Sequence, residues 1–128
     1  MRSDTFATRN LFFSGINAFK GFLKAYKSEK NLHTELAIAL IFLILNIYFC
    51  IEPIGWIAYI IASFGTLSAE LVNTAIEYIC NFIKQDYDEQ IRIIKDIASA
   101  PVLMWGIIFF STEAFFLWRC IANTGAAR

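Results

Sequence analysis

Polar side chains recur along one apolar stretch of the chain, and two of them are glutamates. Within residues 54–83 they lie three or four positions apart, near one face of a single helix; they are Ser63, Thr66, Glu70, Asn73, Glu77 and Asn81. A charged side chain inside a membrane span is costly, so such residues normally face a bundle interior or a wet cavity. Helix packing explains the serine and the threonine. It does not explain the two glutamates well, because two uncompensated carboxylates two turns apart would repel each other. We therefore expect the glutamates to have a functional role.

Two such glutamates could divide the work of a phosphoryl transfer. One of Glu70 and Glu77 can hold a hard divalent cation, because Mg²⁺ prefers one or two carboxylates together with substrate phosphates. The other can accept a proton from a hydroxyl group. Glu29 could supply a second metal ligand, while Lys95 and Asp96 could meet a phosphate and cap a helix. These residues suit phosphoryl transfer to a lipid hydroxyl by positioning and charge neutralisation.

The elements that must position these residues are membrane helices. The chain has 128 residues, of which 58% are hydrophobic and 17% charged, whereas soluble domains are about half apolar and about a quarter charged. A helix needs about 20 apolar residues to cross a bilayer. We therefore predict one all-α integral membrane domain over residues 1–128. Its spans are expected at residues 32–51, 54–83 and 97–121, with a charged cytoplasmic loop at 84–96.

A fourth helix is predicted before the first span, over residues 11–30. Its apolar residues recur at spacings of four and three, as on one helix face; they are Phe12, Ile16, Phe19, Leu23 and Tyr26. The lysines that flank this stripe could reach headgroup phosphates; they are Lys20, Lys24 and Lys27. We expect an amphipathic helix on the cytoplasmic membrane surface, either as a plain anchor or as part of a site.

Charge placement predicts the orientation of the chain and excludes one class of partner. Nine of the eleven lysines and arginines precede the first span or lie between the second and third. The positive-inside rule therefore places the N-terminus and the charged loop in the cytoplasm. The chain has 11 acidic and 11 basic residues, so no excess positive field favours nucleic acid. The sequence contains no GxxxxGK[ST] motif, so a nucleotide would need a different phosphate cradle.

Two motifs resemble those of the prokaryotic diacylglycerol kinase and undecaprenol kinase family. The segment AELVNTAIE at 69–77 is similar to that family's E-[LIV]-x-N-[ST]-A-I-E. The segment KDIASA at 95–100 is similar to its K-D followed by small residues, and Glu29 stands where the family has an upstream glutamate. The resemblance covers roughly residues 9–118.

The resemblance implies MgATP-dependent transfer of the γ-phosphoryl group to a membrane lipid alcohol. It implies a homotrimer with active sites between subunits, in the bacterial inner membrane and in phospholipid biosynthesis. By position, Glu70 matches the catalytic base at the lipid hydroxyl, Glu29 and Glu77 match the Mg²⁺-binding carboxylates, and Ser99 falls near the lipid. The positions that match the ATP site are Arg9, Glu29, Asn73, Glu77, Asp86, Tyr87, Asp88, Lys95 and Asp96.

Four residues depart from the family pattern, and one of them is Asp88, which stands where the family's loop often carries histidine. Asn81 stands where the family commonly has aspartate, which removes one negative charge beside the metal site. Pro101 lies early in the third span, where it would remove a hydrogen bond and kink the helix. Glu113 lies in a span expected to be apolar; it is costly if it faces lipid, and it can snorkel if it lies near the outer interface.

The acceptor lipid and the class of function have stated alternatives. Glu35 and the Ser99-Ala100 pair resemble the diacylglycerol kinases, whereas Asn31 resembles the undecaprenol kinases. We predict an enzyme that forms phosphatidic acid from diacylglycerol, with undecaprenol as the alternative acceptor. A different class of function would be a small proton-coupled membrane protein that uses Glu70 as carrier carboxylate. A third reading is a non-catalytic relative that acts as a scaffold.

Overall fold

Four helices make up the described part of the chain. The computed structural model describes residues 11–84 and 86–126, within which no strand occurs. The helices are α1 (Leu11–Ser28), α2 (Lys30–Tyr48), α3 (Pro53–Ile83) and α4 (Glu89–Ala126). Three of them are long and apolar enough to cross a membrane, over Lys30–Tyr48, Pro53–Ile83 and Glu89–Asn123. The prediction of an all-α protein with three candidate spans is therefore confirmed, and the chain is a multi-pass membrane protein.

Helix α4 begins earlier than the apolar pattern indicates. It starts at Glu89, whereas the predicted span starts at residue 97. Asp88 Oδ1 accepts hydrogen bonds from the backbone N–H groups of Gln90 (2.9 Å) and Ile91 (3.3 Å), as a helix N-cap does. Polar turns thus extend the helix beyond its apolar part. The helix also continues through Pro101 without a break.

Short connections separate the first three helices. Glu29 alone lies between α1 and α2, with an extended backbone at φ −108° and ψ 115°. Between α2 and α3, Cys50 adopts a left-handed conformation with φ 50°, which is uncommon for residues other than glycine. Pro53 then opens α3 at a position where its missing N–H and fixed φ suit a helix start.

Helix α3 is the centre of the bundle, and its most extensive interface is with α4. A Cβ atom on Gly65 would lie 2.4 Å from the Trp105 ring, so only a glycine lets the indole approach this closely. A core of Tyr59, Ala62 and Phe109 lies at the same interface. This packing determines where the two ends of α4 lie relative to α3.

Much of each span faces outward. In the most apolar 18-residue stretch of α2 and of α4, only 11% of the residues are buried inside the chain. In that of α3, 28% are buried. Large apolar side chains such as Phe64, Ile97 and Leu103 are exposed by about two thirds, at 67% each. Lipid or other protein subunits must therefore cover these surfaces.

The structure corrects both alternatives for Glu113. Its side chain is 1% exposed, so it neither faces lipid nor snorkels to an interface. Asn46, which is fully buried, donates a hydrogen bond from Nδ2 to Glu113 Oε2 at 2.9 Å. This bond ties α2 to α4. Nearer the α2–α3 connection, Arg119 Nη2 pairs with Glu52 Oε1 at 2.8 Å and anchors the same end of α4.

We expect the Asn46–Glu113 bond to stabilise the bundle measurably. Replacing Asn46 with Leu should lower the free energy of unfolding by about 1–2 kcal/mol, the upper range for hydrogen bonds between membrane helices. Detergent-induced unfolding in mixed micelles, followed by circular dichroism, measures this change. In a double-mutant cycle with Glu113→Leu, additive effects would show that the two side chains do not interact.

Candidate active site

Glu70 lies on the buried face of α3. Its side chain is 3% exposed, and Asn73 and Thr74 on the next turn are 4% exposed each. The period of three to four residues predicts this shared face, and the packing of α3 against its neighbours buries it. A carboxyl group in such a place is screened from water, so its properties depend on the few polar groups around it.

Those polar groups come from α2, from α3 and from the α1–α2 connection. The Glu70 carboxyl interacts with the side-chain amides of Asn31 and Asn73, and electrostatically with Glu77 and Glu29. Asn73 Nδ2 also donates to Glu77 Oε1 at 3.1 Å. The structure therefore brings together four sequence-predicted site residues, Glu29, Glu70, Asn73 and Glu77, which we call the carboxylate group.

The break between α1 and α2 places Glu29 in this group. The chain leaves its helical path at Glu29 alone, so the carboxylate projects from the connection rather than from a regular helix face. The hydroxyl groups of Ser28 and Tyr78 are hydrogen-bonded, which links the end of α1 to α3 one residue from Glu29. This contact holds the connection against α3.

A second set of predicted residues lines a cavity beside the loop that joins α3 to α4. This cavity, which we call the loop cavity, has a volume of about 290 Å³. Lys95 Nζ donates to Asn81 Oδ1 at 2.8 Å across it, so the asparagine that departs from the family pattern binds the lysine. The lining consists of Asn81, Lys84, Asp86, Tyr87, Asp88, Ile91, Arg92, Lys95 and Asp96.

The two sets do not merge within one chain. The lining of the loop cavity includes none of Glu29, Glu70 and Glu77. Ser99 is exposed on α4, where its Oγ donates to the backbone oxygen of Asp96 at 2.9 Å, and its predicted contact with lipid stays a prediction. Arg9 lies outside the described residues. The roles of all these residues likewise stay predictions.

The sequence reading missed several polar residues beside these sets. Arg92 and Lys84 line the loop cavity, and Arg92 pairs with Glu89 and Asp96. Spacings of three and four along a helix were the signal that could have revealed these pairs. Glu35 bore only on the choice of acceptor lipid, yet it interacts electrostatically with Glu70. Its Oε2 atom is buried without a hydrogen-bond partner, and Glu35 lines an apolar cavity of about 210 Å³ inside the bundle.

The carboxylate group offers oxygen donors suited to a hard cation. Asn73 Oδ1 is buried and has no hydrogen-bond partner, and it lies on the amide whose nitrogen binds Glu77. Carboxylate and amide oxygens are ligands that Mg²⁺ accepts, together with substrate phosphates. Among the residues that the structure describes, no three histidine, cysteine, aspartate or glutamate side chains could hold a metal ion by themselves.

Asp88 is the loop carboxylate with the clearest electrostatic setting. Lys84 Nζ donates to Asp88 Oδ2 at 2.6 Å, and this bond, with those from the Ile91 and Gln90 N–H groups, lowers the pKa of Asp88. Because the pKa in the folded protein lies below its ordinary value, the charged cap is fully present above that ordinary value. It is lost as the pH falls through the lowered pKa.

Two comparisons relate the chain to known proteins. The family model for prokaryotic diacylglycerol kinase matches residues 16–117. Undecaprenol kinase from Bacillus subtilis (strain 168) is 29% identical over 100 residues, which cover 77% of this chain and 81% of the relative. The family-model match includes the carboxylate-bearing segments and the loop cavity.

We expect Asp88→Ala to loosen the first turn of α4. The backbone amides of Gln90 and Ile91 should lose hydrogen-exchange protection several-fold at pH 6, because their acceptor is gone. The matched variant Asp88→Asn keeps a capping oxygen without the charge, so it should retain most of the protection and show no loss of it through the lowered pKa. Unchanged protection in Asp88→Ala would contradict the cap.

Proposed function

The chain belongs to the prokaryotic diacylglycerol kinase family, a family of membrane lipid kinases, and we propose that it transfers the γ-phosphoryl group of MgATP to the primary hydroxyl of diacylglycerol. The products are phosphatidic acid and ADP. The observation that supports this proposal most is the burial of Glu70 in α3 beside Glu29, Asn73 and Glu77. Neither a proton carrier nor a scaffold requires this grouping beside the connection between α1 and α2.

Glu70 acts as the general base in this proposal. Its carboxylate accepts the proton of the lipid hydroxyl while the hydroxyl oxygen bonds to the γ-phosphorus atom. The bond from that phosphorus to the β–γ bridging oxygen breaks, and ADP leaves with the electron pair. Asn31 and Asn73 interact with the Glu70 carboxyl and orient it. Burial of the base excludes water, which would otherwise compete with the lipid for the phosphoryl group.

Glu29 and Glu77 would hold the magnesium ion of MgATP. Asn73 Oδ1, which is buried without a hydrogen-bond partner, would offer a cation beside Glu77 a further oxygen ligand. A metal held there would neutralise phosphate charge during the transfer. The residues Asp86, Tyr87, Asp88, Lys95 and Asp96 would bind the nucleotide at the loop cavity.

We propose a homotrimer in the bacterial inner membrane, with the active site on the cytoplasmic side. Each span buries little of its surface within one chain, which leaves wide apolar faces for other subunits. The carboxylate group and the loop cavity share no lining residue within one chain. Packing of the carboxylate group of one subunit against the loop cavity of the next would complete a site. The proposed α1 position on the membrane surface agrees with its exposed Phe19 and Lys20.

Undecaprenol is the second candidate acceptor, and separate observations favour each lipid. A glutamate at position 35 is typical of the diacylglycerol kinases. Glu35 lies near Glu70, and one of its oxygens has no hydrogen-bond partner, so a second polar group of the lipid could bind there. Asn31, which resembles the undecaprenol kinases, interacts with the Glu70 carboxyl directly. The 29% identity to an undecaprenol kinase adds to the second case.

A lipid-phosphorylation assay tests the proposal. Purified protein in mixed micelles would receive labelled MgATP with diacylglycerol or with undecaprenol. Label in diacylglycerol is expected. Label in undecaprenol alone would show that undecaprenol, and not diacylglycerol, is the acceptor. Folded protein that labels neither lipid contradicts the kinase proposal, and a Glu70-dependent proton flux without ATP would favour a transport function.

We expect Glu70→Gln to lower kcat by about a hundredfold to ten-thousandfold, because it removes proton acceptance but keeps the side-chain shape. Initial rates of lipid phosphorylation measure this loss. The matched control is Glu113→Gln, which changes an equally buried glutamate outside the carboxylate group. A Glu70→Gln enzyme as active as this control would refute the role of Glu70 as base.

We expect Glu77→Gln to raise the Mg²⁺ concentration for half-maximal rate by about tenfold or more, because a carboxylate ligand becomes a neutral amide. A Mg²⁺ titration of initial rates at saturating ATP measures this shift. Glu52→Gln is the control, since Glu52 pairs with Arg119 at the other end of the bundle. An unchanged Mg²⁺ dependence in Glu77→Gln would contradict its role as ligand.

A further inference from the structure

A chain of hydrogen bonds runs along the first turns of α4. Tyr87 Oη donates to Glu89 Oε2 at 2.5 Å. Arg92 donates to the same carboxylate twice, from Nη2 to Oε1 at 2.5 Å and from Nε to Oε2 at 3.3 Å. Arg92 Nη1 then donates to Asp96 Oδ2 at 3.1 Å. The guanidinium of Arg92 is therefore oriented from both sides.

The two sides of this guanidinium differ in strength. Glu89 binds the edge formed by Nε and Nη2 with two bonds, a geometry that fixes the plane of the group. Asp96 makes a single bond to the remaining nitrogen. Both pairs are exposed, with the Arg92, Glu89 and Asp96 side chains at 52%, 57% and 64%, so the number of bonds distinguishes them. An exposed pair with one bond contributes little, so another anion can replace Asp96 at small cost.

Arg92 shares the loop cavity with two other cations. Lys84 and Lys95 also line it. Lys84 donates to an Asp88 side-chain oxygen, and Lys95 donates to that of Asn81. Arg92 lies three residues before Lys95, so both project from about the same face of α4. Three cations line this cavity of about 290 Å³ together with the carboxylates of Asp86, Asp88 and Asp96. The cations are suited to phosphate oxygens, which the guanidinium fork matches better than an ammonium group does.

We propose that Arg92 is a polyphosphate-binding residue of the nucleotide site. Glu89 holds the guanidinium in place, and Nη1 exchanges the Asp96 carboxylate for a phosphate oxygen when the nucleotide enters. This inference rests on the proposed function, because that function requires a nucleoside triphosphate at the loop cavity. It adds to the site a cation that the motif positions do not include.

Equilibrium binding of the non-hydrolysable analogue AMP-PNP, with AMP for comparison, tests this role. Calorimetry would use the purified full-length chain in micelles with Mg²⁺. Arg92→Gln should weaken AMP-PNP binding by about tenfold to a hundredfold, the loss expected for one charged hydrogen-bonding partner. AMP, which lacks the β- and γ-phosphates, should change by less than about threefold. Arg92→Lys should recover part of the loss, because it restores the charge without the fork.

The control variant is Arg119→Gln, which removes the same charge from an exposed ion pair at the opposite end of α4. It should bind AMP-PNP as the unaltered chain does. Equal affinity in Arg92→Gln, or an equal loss for AMP and AMP-PNP, overturns the inference, as does a folded unaltered chain that does not bind AMP-PNP. Circular dichroism establishes folding, and if Arg92→Gln does not fold, the Arg92→Lys result decides.

The lipid assay separates this inference from the proposed function. If the unaltered chain binds AMP-PNP through Arg92 but labels neither lipid, the kinase proposal fails while the role of Arg92 stands. If the chain labels lipid and Arg92→Gln leaves the KM for ATP unchanged, the kinase proposal stands and the role of Arg92 is wrong. A higher KM with a nearly unchanged kcat supports both.

Discussion

A carboxyl group enclosed by membrane helices must find its polar partners within the protein, because the bilayer core holds no water to replace them. Glu113 meets this constraint with one amide, that of Asn46. Glu70 meets it with two amides, and it also lies near further carboxylates. The first arrangement is a single bond between two helices, with Asn46 Oδ1 left without a hydrogen-bond partner, and it suits a structural link. The second concentrates like charges, which only an added cation or proton can balance, and it is therefore the arrangement that chemistry can use.

The interface between α3 and α4 determines how the other parts of the site relate to Glu70. Trp105 lies against Gly65, and the core of Tyr59, Ala62 and Phe109 continues this contact. Lys95 then reaches Asn81 at the end of α3. Residues that are far apart in sequence thus occupy defined positions along two antiparallel helices. The small side chain at residue 65 matters here because it allows the close approach that sets the spacing between the helices.

The sequence predicted the helices better than it predicted their partners. The three spans follow from apolar length, which is a local property that a bilayer selects directly. The start of α4 at Glu89 depends on an N-cap and ion pairs, which hydropathy does not register. The spacing of the motif predicted that Glu70, Asn73 and Glu77 share one face of a helix, whereas Glu29 comes from the break between α1 and α2, which that spacing does not predict. The bond between Asn46 and Glu113 joins residues 67 positions apart, and no local sequence pattern predicts it.

Helix α4 has 38 residues, so as one straight rod it would be about 57 Å long, nearly twice the thickness of a bilayer core of about 30 Å. Its far end is anchored by Arg119 and Glu113, and its near end carries Arg92 and Lys95. The depth of its cations relative to the membrane therefore depends on where the anchored end of the helix lies and on how far the helix tilts. A thinner bilayer favours a larger tilt of so long a helix, which would bring those cations closer to the lipid headgroups, so their position would depend on membrane thickness.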